Sequence, residues 1–175
     1  MRGTTNRLLL GALAGIAGTA AMTAAMRAMH RRLPAPERYP LPPREIIQAS
    51  VPERIEAALG EQRRRDLTLA AHFGYGAACG ALFALVRPSD GAAVVPGALY
   101  GVLVWAGSYF GLLPALGVLK LATRHPPQRN ALMIAAHLVW GTTTAVTLRE
   151  LERAEAEIYT GDAAPDARRG ATDIG

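Results

Sequence analysis

Four stretches of this chain carry almost no charge, and each is long enough to cross a lipid bilayer. They cover about residues 8–29, 67–86, 93–113 and 131–148, with the charged side chains almost wholly between them. A hydrocarbon core of ~30 Å takes about 20 residues at ~1.5 Å per residue, so each run is long enough. Inside lipid the backbone must satisfy its own polar groups, which makes such isolated runs helical. The sequence therefore predicts an all-α integral membrane bundle of four transmembrane helices over residues 1–149. Residues 150–175 are expected to add a glutamate-rich helix extension and then a disordered polar tail, which has no core-forming residues.

A positive mean hydropathy of +0.14 alongside a pI near 10.0 suits a membrane protein with basic loops. Nucleic-acid binding would need the basic residues gathered on one folded face. Here they flank apolar runs, where the positive-inside effect accounts for them. Most of Arg27, Arg31, Arg32, Arg63, Arg64, Arg65, Lys120, Arg124 and Arg129 crowd the two long connections. That bias predicts cytoplasmic loops and outward termini. The single Cys79 lies inside a span, so no disulfide framework is expected.

In the first run, Gly11, Gly15, Gly18 and Met22 repeat at helical spacing and form a small-residue face for close helix packing. A cleaved signal peptide is the competing reading, since Arg2 and Arg7 precede the apolar stretch. The run is long for that role, and Arg27, Arg31 and Arg32 follow directly. Prolines 34, 36, 40, 42 and 43 then exclude a regular helix. About residues 44–60 read as short amphipathic helices, with Ile47, Val51, Ile55 and Leu59 on one face and Ser50 and Glu53 as a capping box. Arg63, Arg64 and Arg65 stand before the second run, placed to meet lipid headgroups. The third run carries Gly97, Gly101, Ser108 and Gly111 as another small face, and Pro114 is expected to kink or end it.

The second and fourth runs share a motif. Ala71-His72-Phe73-Gly74-Tyr75-Gly76 and Ala136-His137-Leu138-Val139-Trp140-Gly141 both read Ala-His, two residues, aromatic, Gly. A further small residue follows four on, at Gly80 and Ala145. On a helix these positions share a face, giving a stripe of histidine, aromatic and small residues. Both runs start from the loop side, so the two helices are parallel. The histidines then fall roughly 8–9 Å below the same boundary. This points to two helical hairpins of common origin.

An ionisable residue within a span marks a functional candidate, so His72, His137, Tyr75 and Trp140 are the intramembrane polar set to examine. One reading makes each imidazole a hydrogen-bonding link to a neighbouring helix, while Gly76, Gly80 and Gly141 allow close approach. A second makes the histidines, with Tyr75 and Thr142, Thr143 and Thr144, a polar path for protons or a small solute. A third makes them axial ligands of haem b. No carboxylate or second cysteine lies in the spans to complete a metal site. No nucleophile elbow, phosphate loop or paired intramembrane carboxylates occur, so no enzyme activity, no metal and no resident cofactor are expected.

The Gly/Ala-rich first helix, the Pro42-Pro43-Arg44-Glu45 stretch and the two Ala-His-x-x-aromatic-Gly helices resemble the YagU-like bacterial inner-membrane proteins of unknown function. That resemblance spans roughly residues 8–148. It implies an inner-membrane location and a part in stress or acid tolerance, and it brings no catalytic residues with it. The expectation is a structural or interaction component of the membrane, with lipids and other membrane proteins or a second copy as partners. The alternative is a small transporter or proton-conducting unit centred on His72 and His137.

Overall fold

The computed structural model describes residues 3–33, 60–87, 93–117 and 121–160, and every regular element among them is helical. The helices are α1 (Thr4–Arg32), α2 (Glu61–Val86), α3 (Val94–Ala106) and α4 (Pro127–Thr160). A π-helical segment (Gly107–Leu112) and a final α turn (Leu113–Ala115) continue α3 into one third span. Among the described residues four helices are long and apolar enough to cross a membrane: Thr4–Arg32, Glu61–Val86, Val94–Ala115 and Pro127–Ile158. The amphipathic helices expected near residues 44–60 and the tail after residue 160 lie outside the described residues.

Prolines in the sequence set several boundaries. A residue before proline is pushed from the α region towards extended backbone. Leu33 precedes Pro34 and has ψ 143°, ending α1; Arg87 precedes Pro88 and has ψ 147°, ending α2. Likewise His125, before Pro126, has ψ 153°. Pro127 then opens α4, where its missing N–H costs nothing. α1, α2 and α4 begin ahead of their apolar runs because hydropathy marks the lipid boundary, whereas helicity needs only good local pairing. The polar first turns of α2 show this, with Glu61 beside Arg65 at 3.6 Å and Gln62 donating to Asp66 at 2.9 Å.

Pro114 does alter the third span, through a change of helix type. Without an N–H it cannot bond back to Phe110, and its ring crowds that carbonyl. The preceding turn widens, and the Leu113 N–H bonds to the Ser108 carbonyl in the π pattern. The span stops at Gly117, whose φ of 68° is left-handed and suits glycine at a helix end. The wider turn also shifts the expected small face. Ser108 stays buried, whereas Gly111 is exposed with open space around its Cα.

α1 packs against both α2 and α4, and α4 packs against both α1 and α3. Small residues make those contacts close. A methyl group added to Gly11 would lie 2.6 Å from the Ala84 Cβ, and one on Gly97 would lie 2.5 Å from the Ala145 Cβ. Gly15 meets Gly76 and Gly80, Gly101 meets Gly141 and the His137 carbonyl, and Gly18 meets Trp140 and Thr144. Because Gly11 lies by Ala84 while Gly15 lies by Gly76, α1 and α2 are antiparallel; the same holds for α3 and α4. Thr19 meets Trp140 while Asn6 meets Glu155, so α1 is antiparallel to α4 as well, and α2 and α4 are parallel.

One end of the bundle is narrow, with Ala14, Phe83, Ala84, Ala145 and Leu148 as its core. The other end holds Met22, Met26, Tyr109, Leu113, Met133 and Trp140, whose bulk keeps the helices apart. Outside, Leu9, Leu13, Leu69, Leu82, Leu99, Leu103 and Phe110 face away from the protein. So much outward apolar surface on α1, α2 and the third span is what a lipid solvent permits and water does not.

The glutamate-rich extension of α4 does more than project into water. Glu152 pairs with Arg87 and Glu155 accepts from the Asn6 amide, while Leu151 packs on the narrow core. Arg7 donates to the Ala84 carbonyl at 2.6 Å, satisfying a backbone group in the last turn of α2.

Candidate functional site

The wide end encloses a cavity of about 320 Å³ to which all four spans contribute. Thr19, Met22 and Met26 line it from α1, and Met133, His137 and Trp140 from α4. α2 supplies Thr68, Ala71, His72, Tyr75, Gly76 and Cys79; the third span supplies Val104, Ser108, Tyr109, Leu112, Leu113 and Leu116. Tyr75, Leu112 and Leu116 are also 44%, 48% and 65% exposed. All three lie along the seam between α2 and the third span, so the cavity meets the apolar outer surface there. Towards the narrow end the wall is Trp140, backed by Tyr100 and then Phe83, with ring centroids 6.0 and 4.9 Å apart. The Tyr100 hydroxyl holds that layer in place by donating to the Cys79 carbonyl at 2.8 Å.

His72, Tyr75, His137 and Trp140 are thus brought to one cavity from two parallel helices. Among these four residues, the interhelical hydrogen bonds come from the aromatics. Trp140 donates its indole N–H to Thr19 Oγ1 at 3.2 Å, and Tyr75 lies 2.9 Å from Ser108 Oγ. Each hydroxyl donates in turn to the carbonyl four residues earlier, Thr19 to Gly15 and Ser108 to Val104, both at 2.8 Å. Ser108 has one proton and spends it on Val104, so Tyr75 is the donor of their pair. His137 Nδ1 instead donates to the Met133 carbonyl of its own helix at 2.7 Å. His72 Nε2 is buried with no hydrogen-bond partner.

Gly11, Gly15, Gly18, Gly76, Gly80, Gly97, Gly101 and Gly141 all lie at helix–helix contacts away from the cavity, except Gly76, which serves both. Thr142, Thr143 and Thr144 do not line the cavity; Thr144 is fully buried against Gly18. The hydroxyl-bearing residues of the wall are Thr19, Thr68, Tyr75, Ser108 and Tyr109. Sequence reading passed over Thr19 because its neighbours in the first run signalled packing alone. Its partner Trp140 is 121 residues away, and no local pattern links the two. Arg63, Arg64 and Arg65 stand in the first turns of α2, at the wide end and off the cavity wall. Among the described residues no three His, Cys, Asp or Glu side chains cluster as a metal site would need.

No family model, curated protein or solved structure matches the chain.

Proposed function

We propose that this is a multi-pass protein of a bacterial inner membrane, in the YagU-like manner, that binds a small membrane-dissolved molecule in the cavity shared by His72 and His137. The observation that carries the reading is the cavity itself: about 320 Å³, inside a four-helix bundle, with both histidines in its wall. Pockets of roughly this size and apolar character, with a few polar groups, are what small ligands occupy. A purely structural role for the imidazoles has less support, because the interhelical bonds come from Tyr75 and Trp140.

Two related hairpins, α1 with α2 and α3 with α4, form the framework. The paired contacts support that relation: Gly15 sits on Gly76 and Gly80 as Gly97 sits on Gly141 and Ala145. Each hairpin's aromatic also donates to a hydroxyl of the other hairpin. Loops lie in the cytoplasm and termini outside, following the arginine bias. Closure at the Phe83–Tyr100–Trp140 layer favours binding over an open proton path, so transport would require the helices to rearrange.

Trp140 in the cavity wall makes occupancy visible. The purified protein in lipid nanodiscs, titrated with 4-hexylphenol or 4-hexylanisole, is expected to show a saturable change in tryptophan fluorescence. Cys79→Phe, which places a ring in the cavity, is expected to remove it. Linear partitioning of both probes, unchanged by Cys79→Phe, overturns the binding reading. For the transport form of the proposal, His72→Ala and His137→Ala are each expected to abolish a pH-dependent flux in liposomes while the fold persists.

A further inference from the structure

Resting on that cavity as a binding site, the geometry points to a ligand that carries a hydroxyl or N–H donor on an apolar body. We infer this from how the cavity's own hydrogens are spent. Trp140 gives its N–H to Thr19, Thr19 its O–H to Gly15, and Thr68 its O–H to Arg64 at 2.8 Å. Tyr75 gives its proton to Ser108, and Ser108 gives its own to Val104. His137 commits Nδ1–H to Met133. In the neutral ring that leaves Nε2 with a lone pair and no proton.

The hydroxyl oxygens of Tyr75 and Ser108 keep lone pairs as well, since each hydroxyl has two acceptor sites. His72 Nε2, buried and unpartnered, takes either role according to its tautomer. Tyr109 and His72 also bring hydrogens to the wall, so what sets the cavity apart is His137 Nε2, an acceptor that cannot donate while Nδ1–H stays on Met133. An apolar molecule with only ether or carbonyl oxygens leaves that nitrogen without a hydrogen-bond partner. A phenol or alcohol supplies the missing hydrogen. The seam at Tyr75, Leu112 and Leu116 places such a molecule's entry on the apolar side of the protein, so it arrives already dissolved in lipid.

4-Hexylphenol and 4-hexylanisole differ in one respect that matters: the ether has a methyl group where the phenol has its hydrogen. In nanodiscs, with partitioning into protein-free discs subtracted, the phenol is expected to bind about fivefold or more tightly, the range a single well-made hydrogen bond supplies. 1-Nonanol separates the sources of the donor: matching the phenol shows that any hydroxyl suffices, and falling to the ether's level restricts the class to phenols. His137→Phe removes the Nε2 acceptor and is expected to bring phenol and ether within twofold. Tyr75→Phe provides a second variant if that protein does not fold. Equal saturable binding of phenol and ether by the unaltered protein would overturn the donor inference while leaving the binding site standing. Saturation by neither probe would remove the site itself.

Discussion

Trp140 on α4 donates its indole N–H to Thr19 Oγ1 on α1, across 3.2 Å in a buried setting. Its counterpart in the repeated motif, Tyr75 on α2, reaches Ser108 Oγ on the third span at 2.9 Å. The two bonds run in opposite senses between the hairpins and hold the cavity walls at a fixed separation. In lipid, interhelical hydrogen bonds are modest because the separated helices find other partners. Trp140→Phe and Tyr75→Phe are each expected to cost about 0.5–1.5 kcal/mol, read from unfolding in a mixed-detergent titration. A loss of several kcal/mol from Tyr75→Phe, which keeps the half-exposed ring, would mean the bond does more than brace the wall.

Glycine positions separate sharply by location. Gly15→Val places carbon against the Gly76 carbonyl and 3.0 Å from the Gly80 Cα, both backbone groups that have no easy way to give. The expected outcome is loss of about 4 kcal/mol or failure to assemble. Gly111, with open space around it, is expected to accept alanine within about 0.5 kcal/mol. Thermal unfolding of the two purified variants decides the contrast, and equal behaviour would refute the close α1–α2 contact.

Arg87 and Glu152 form a pair whose side chains are each only 12% exposed. Removing one partner leaves the other charge in a poorly solvated place, while removing both need not. Arg87→Met is therefore expected to destabilise the protein by about 3 kcal/mol. The double variant Arg87→Met with Glu152→Leu is expected to recover much of that loss, measured in the same denaturation series. A double variant as damaged as the sum of the singles would show that the two residues act independently.

Topology is open to direct labelling once Cys79 is replaced by serine. Single cysteines at Thr4 and Ile158 are expected to react with an impermeant maleimide on intact spheroplasts. Those at Glu61 and Leu121 are expected to react only after permeabilisation. The reverse pattern would overturn the orientation drawn from the arginine bias.

The sequence alone determined the number of spans, their helical nature and most of their ends. These follow from local chemistry: uncharged length matched to a bilayer, and prolines 34, 88, 126 and 127 acting on their immediate neighbours. It also placed His72 and His137 on parallel helices, because helix direction follows from counting crossings. Tertiary structure decided what those histidines do with their nitrogens, since a ring chooses between its own backbone and a neighbour only when the neighbour's distance is known. It likewise selected Thr19 and Ser108 over Thr142, Thr143 and Thr144 as the hydroxyls of the cavity. Helix rotation makes that choice, and rotation here is fixed by glycine contacts between distant segments and by the widened turn ahead of Pro114. The cavity has the same origin: small residues draw one end of the bundle together, and Met22, Met26, Met133 and Trp140 hold the other apart.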